Sequence, residues 1–131
     1  MSDAFPVVIH HNPLCGTSRK VIAAVEAAGY TPQIIRYMET GWTRPQLLAL
    51  FAAAGLTPRM ALREKEAKAQ ELGLLKDGAS DDAIIEAMIT HPVLVNRPLV
   101  ATPKGVRLCR PSETVFELLE NPVSRSADAK G

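Results

Sequence analysis

The spacing of apolar and polar positions along this chain changes several times, and each change marks an element. Residues 5–9 (FPVVI) form a short, β-branched apolar run, bounded by a turn-like Asn12-Pro13. That run reads as a buried strand. From Gly16 to Ala28 the spacing becomes helical, with Val21, Ile22 and Val25 on one stripe and Gly29 as a C-terminal stop. Residues 32–37 (PQIIRY) form a second short strand. Strand, helix and strand of these lengths make a β-α-β unit, which implies parallel strands and a right-handed crossover.

A helical block follows. Thr43 can cap a helix whose stripe is Leu47, Leu48, Leu50 and Phe51, with Gly55 ending it. Residues 58–75 are rich in Ala, Glu, Lys and Arg and read as helical in part. Ser80 or Asp81 can cap a further helix that turns Ile84, Ile85, Met88 and Ile89 inward and stops at His91-Pro92. Two brief β-like runs come next, Val93–Val95 and Leu99–Ala101, separated by Asn96-Arg97-Pro98. Residues 105–108 (GVRL) suit another strand after the turn Pro103-Lys104-Gly105. Pro111 fits the first turn of a last helix carrying Val115, Phe116, Leu118 and Leu119.

This order predicts an α/β fold: a central mixed sheet flanked by helices, with residues 43–91 as a helical block inserted between its two halves. With 131 residues, one domain is expected, spanning 4–120, with 121–131 as a flexible tail. The formal net charge of +1 argues against nucleic acid or an anionic membrane as partner. The first residues, MSDAFPVVIHHNP, lack a basic leader, and their apolar run is too short for a signal or a span. The expected location is therefore the cytoplasm, where thiols stay reduced and two cysteines read as reactive or buried rather than bridged. A monomer is compatible with the sequence, which does not determine the oligomeric state.

The chemistry concentrates in HHNPLCGTSRK, residues 10–20. Cys15 reads as an exposed thiol at a strand-to-helix junction. Free N–H groups and the helix dipole there lower a thiol's pKa. Arg19 and Lys20 add cations one turn on, and His11 can approach from the other side. The amides of Gly16, Thr17 and Ser18 can also point at a tetrahedral anion. One place thus offers a nucleophile and an oxyanion cradle. The alternative is an inert, buried cysteine that packs as a small hydrophobe. A dithiol motif is absent, because Ser18 stands where a second cysteine would. A phosphatase-type loop needs an arginine where Val21 stands. Zinc ligation by His10, His11, Cys15 and His91 or Cys109 lacks paired-ligand spacing, so no metal is expected. Cys109, between Leu108 and Arg110, reads as a packed strand-end residue.

Two long blocks, HNPLCGTSRK and LVNRPLVATPKGVRLCRPSE, resemble the glutaredoxin-dependent arsenate reductases, which have a thioredoxin-like fold. The likeness runs from about Val7 to about Leu119 and includes PRMALRE, ELGL and SDDAIIEAMITHPVLVNRP. The resemblance implies that Cys15 is the nucleophile toward arsenic, that His11 influences thiolate formation, and that Ser18 hydrogen-bonds the thiolate. It further implies that Arg63, Arg97 and Arg110 bind the oxyanion, and that Pro98 is the cis-proline beside the active cysteine. Arg97 and Arg110 each directly precede a proline at a junction between elements, where α/β folds build sites. Arg63 has no such local signal. The stretch 64–72 is richer in Ala and Lys than the family pattern, and the tail is shorter than in the longest members.

The implied reaction is reduction of arsenate to arsenite, with glutathione as co-substrate, glutaredoxin as partner and no bound cofactor. Two other readings use the same fold: a glutathione-binding thiol oxidoreductase, and a redox regulator. The first would not need three arginines. The second would be expected to alter them or to carry a Cys-x-x-Cys sensor.

Overall fold

A computed structural model describes residues 5–76 and 78–120. Residue 4 and the expected tail, 121–131, lie outside the described residues. Two units divide the chain. One comprises the residues up to Arg36 and from Arg97 on; the other is Tyr37–Asn96.

The first unit holds a four-stranded sheet of β1 (Val8–His11), β2 (Gln33–Arg36), β3 (Leu99–Thr102) and β4 (Gly105–Leu108), in the order β2-β1-β3-β4. β1 runs parallel to β2 and antiparallel to β3, and β3 is antiparallel to β4. The sheet is therefore mixed, as expected. The register aligns His10 with Leu99, and Leu99 with Leu108. β1 begins three residues later than its apolar run suggests and extends through both histidines. The ladder decides this, because Val8 to His11 pair with Gln33 to Arg36. Phe5 and Val7 precede the strand yet still enter the core.

Val7 and Ile9 alternate onto one face, as strand geometry requires. There they meet Val21 and Val25 of α1 (Gly16–Ala27), Val100, Cys109, and Val115, Leu118 and Leu119 of the final segment. Phe5 and Tyr30 close the edge, with ring centroids 5.6 Å apart. The last helix is a 3-10 segment, Ser112–Leu118, and Pro111 sits just before it rather than in its first turn.

The second unit is helical: α2 (Tyr37–Thr40), α3 (Arg44–Ala54), α4 (Pro58–Ala61), α5 (Ala67–Glu71) and α6 (Asp81–Thr90). The second strand thus stops at Arg36. Tyr37 instead opens α2 and stacks on Trp42 with centroids 4.9 Å apart. Thr43 and Gln46 form a reciprocal capping box on α3, and Gly55 ends it with φ 71°. Ser80 Oγ caps α6 by accepting the Ala83 N–H at 3.1 Å. Of the expected α3 stripe, Leu47 and Phe51 are buried, whereas Leu48 is exposed. The expected strand at 93–95 is a 3-10 turn, Pro92–Leu94. Pro92 fixes φ and lacks a donor, so the chain closes short 3-10 bonds there. Only Val95 keeps β pairing, as an isolated bridge to Leu62.

Candidate active site

Sheet register brings distant residues to one end of β1. Cys15 follows β1 across a short turn. β3 runs antiparallel to β1, so β3 starts beside the end of β1. β4 runs antiparallel to β3, so β4 ends there too. Arg97 and Pro98 lead into β3, and Arg110 follows β4. Both Arg-Pro peptide bonds, 97–98 and 110–111, are cis.

The turn itself is built on Asn12. Its carbonyl accepts the Cys15 N–H at 2.9 Å. Its side-chain Oδ1 accepts the Leu14 N–H at 3.0 Å. Its own N–H donates to Ser18 Oγ at 3.2 Å. Arg19 Nη1 adds a bond to the Pro13 carbonyl at 2.7 Å. In the sequence, Asn12-Pro13 reads only as a turn. The available signal was an Asx-turn residue immediately before proline.

Cys15 caps α1 with extended backbone, φ −97° and ψ 120°. Its thiol is buried, 7% exposed, rather than open as the sequence implied. Arg110 Nη1 lies 3.7 Å from Cys15 Sγ and 2.8 Å from the Arg97 carbonyl, so the Arg97 backbone holds the Arg110 guanidinium in place. Burial pushes the Cys15 thiol's pKa up, but other groups outweigh it: the Ser18 backbone N–H, hydrogen bonds from Arg97 and Arg110, and the charge of Arg97. The net direction is down, toward thiolate. The neutral side chain makes no formed cap bond to the first turn. A thiol sulfur is a weak acceptor, and the Ser18 N–H gains its value when the sulfur is ionised.

The cations that act on the thiol are therefore the distant Arg97 and Arg110. Arg19 is engaged with the Pro13 carbonyl, and Lys20 is exposed. Among the side chains around the thiol, Arg97 is itself only 7% exposed. Two guanidiniums, one of them buried, face one sulfur.

His11 lies at the end of β1, buried, with its pKa lowered by burial first, then by Arg36 and Arg19. It is therefore neutral at pH 7 and offers an uncharged imidazole. His11 Nδ1 has no hydrogen-bond partner among the described residues. His10 is also buried, and burial lowers its pKa to about 4.

Gly16 and Thr17 open α1, and with Ser18 they present first-turn amides that have no acceptor within the helix. A Cβ placed on Gly16 would meet only Arg19 Nη2, at 3.9 Å, an ordinary contact. Arg63 belongs to the other unit. There its N–H donates to the Leu94 carbonyl at 2.8 Å, Nη1 donates to Asn96 Oδ1 at 3.1 Å, and Nε pairs with Glu66 at 3.6 Å. Cys109 is in the core, and burial, then Glu117, pushes its thiol up to about 12. It stays protonated and packs as a strand-end residue.

The model of the ArsC family matches residues 10–118, most of the chain and every residue of this arrangement. The chain belongs to the ArsC family. This ArsC-family chain is 61% identical over 115 residues to the arsenate reductase ArsI2 of Synechocystis sp., covering 88% of this chain and 82% of that protein. It is 48% identical over 113 residues to the arsenate reductase of Escherichia coli K12, covering 86% and 80%. Among solved structures, the arsenate reductase from Vibrio cholerae superposes with a TM-score of 0.84 at 41% identity, covering 88% of this chain and 98% of that one. The fold is thus the thioredoxin-like α/β fold shared with these ArsC relatives.

Proposed function

We propose that this protein reduces arsenate to arsenite through the Cys15 thiolate, with glutathione as the second thiol and glutaredoxin as the protein that regenerates Cys15. One observation carries the reading: Cys15 Sγ sits 3.7 Å from Arg110 Nη1, beside the buried Arg97, with its pKa drawn down. Arsenate is anionic at neutral pH, and a thiolate attacking it meets repulsion. Guanidiniums offset that repulsion, offer forked hydrogen bonds to oxygens, and keep the thiolate ionised. The names of the ArsC relatives support arsenate as the oxyanion.

In this reading the Cys15 thiolate attacks arsenic(V), one oxygen leaves as hydroxide or water, and a sulfur–arsenic bond forms. The thiolate of glutathione then attacks Cys15 Sγ. The S–As electron pair passes to arsenic, which leaves as arsenite, and Cys15 is left in a disulfide with glutathione. Glutaredoxin takes that glutathione and frees the thiolate. First-turn amides of Gly16, Thr17 and Ser18 serve the same oxyanion. Ser18 supports the thiolate through its N–H, and its hydroxyl holds the turn through Asn12. His11 acts as a neutral neighbour. Arg63 enters through the resemblance alone and carries no step here.

No helix among the described residues is long and apolar enough to cross a membrane. We place this activity in arsenic detoxification in the cytoplasm, where thiols such as Cys15 and glutathione stay reduced. The test is a coupled assay with arsenate, glutathione and glutaredoxin. Wild type is expected to turn over and Cys15→Ser to be inactive. Full activity in Cys15→Ser would remove the nucleophile assignment.

A further inference from the structure

The residue immediately before the nucleophile is a leucine turned to solvent. Leu14 is 89% exposed, more than any other large apolar side chain among the described residues, while Cys15 beside it is 7% exposed. Single exposed leucines on loose loops are ordinary. Leu14 is different because its backbone is fixed. Its N–H is held by Asn12 Oδ1 at 3.0 Å, the next N–H by the Asn12 carbonyl at 2.9 Å, and the Pro13 carbonyl before it by Arg19 Nη1 at 2.7 Å. A pre-ordered contact residue loses little entropy when a partner covers it.

The turn that carries Leu14 has one basic neighbour held against it, Arg19, through the Pro13 carbonyl. Arg19, Lys20 and Arg36 are exposed, and the first turn of α1 carries no acidic residue. Arg19 and Arg36 are both close enough to His11 to lower its pKa. The cysteine inventory adds a second constraint. The chain has two cysteines. Cys109 is fully buried with its thiol pushed up to about 12, so it cannot open a disulfide at Cys15. The second thiol must come from outside.

We propose that Leu14 is the docking contact for the protein that opens a Cys15 disulfide, a thiol oxidoreductase whose reactive cysteine lies in an apolar surface bordered by acidic residues. This rests on the thiol-relay reading above. The partner's thiolate attacks the glutathione sulfur and the bond to Cys15 breaks. Cys15 Sγ leaves as thiolate, and the partner keeps the glutathione as a new disulfide, with no net change in electrons. Glutathione itself is small and charged and gains nothing from a leucine. A protein reaching a sulfur that is 7% exposed must cover what stands beside it.

The experiment titrates glutaredoxin at saturating arsenate and glutathione, using wild type, Leu14→Gln and Leu14→Met. In parallel, the pH profile of Cys15 alkylation is measured without partner. Leu14→Gln is expected to raise KM for glutaredoxin about tenfold, as loss of an apolar anchor does. Leu14→Met should stay near wild type, and both alkylation profiles should match wild type. An unchanged KM in Leu14→Gln overturns the inference. So does a parallel loss of alkylation, which would make Leu14 a support of the thiol itself. If wild-type turnover does not respond to glutaredoxin, the relay reading fails and the inference fails with it.

Discussion

Replacing Arg110 with alanine removes the guanidinium whose Nη1 lies 3.7 Å from Cys15 Sγ. Hydrogen bonds to charged groups contribute about 1.5–3 kcal/mol, so the thiolate should lose that much stabilisation, or about 10- to 150-fold in its population relative to thiol. Arg97 and the Ser18 N–H remain, which places the expected loss toward the lower figure. The sign follows from the direction of the shift. The native site holds the Cys15 pKa below its ordinary value. Removing one of the groups responsible moves the titration to higher pH and lowers thiol reactivity at neutral pH. The assay is the pH dependence of iodoacetamide alkylation in the absence of arsenate, with Cys109 silent because it is buried and protonated. Arg110→Lys restores charge without the fork and should recover part of the effect. The Arg97 carbonyl also loses its guanidinium partner in Arg110→Ala, so the fold is checked by thermal melting. An alkylation profile superposable on wild type, in a folded Arg110→Ala protein, would falsify the claim that this arginine tunes the thiol.

Two further outcomes are expected. Gly16→Ala should fold as stably as wild type, because its Cβ meets only Arg19 Nη2 at 3.9 Å and its φ is not left-handed, yet arsenate turnover should fall as the methyl group crowds the approach to Cys15. Equal kcat/KM in Gly16→Ala and wild type would show that the substrate does not approach Cys15 past the Gly16 Cα. Cys109→Ser places a hydroxyl in the core and should cost about 1–3 kcal/mol in urea unfolding, while native alkylation stays at one thiol per chain. A loss of arsenate turnover in folded Cys109→Ser would make that cysteine part of the reaction.

Helices were the most legible elements, because their signals are local. Thr43, Gln46 and Gly55 lie within a few residues of the helix they bound, and Ser80 caps its own helix. Strand limits were less legible. The run at 5–9 reads as a strand from its own residues, but β1 is Val8–His11 because pairing with β2 and β3 selects those residues. The apolar run at 93–95 carries β-like residues, yet Pro92 and the local 3-10 bonds to His91 and Pro92 decide its shape. Asn12 was legible only as a turn residue, since the bond of its N–H to Ser18 spans a helix start.

The chain by itself determined where Cys15 stands. A β-branched strand, Asn-Pro, then Cys15 ahead of Gly-Thr-Ser places a thiol at a helix start through nearest-neighbour rules alone, and Ser18 excludes a local dithiol. Only tertiary structure decided what surrounds that thiol. Arg97 and Arg110 are separated from Cys15 by most of the sequence. They arrive beside it because β3 and β4 are antiparallel neighbours in register with His10. Nearby Arg19 and Lys20 looked like the activating cations, but one is engaged by the turn and the other faces water. Electrostatic effects depend on distance through space and on burial, neither of which is written in the linear order of the residues.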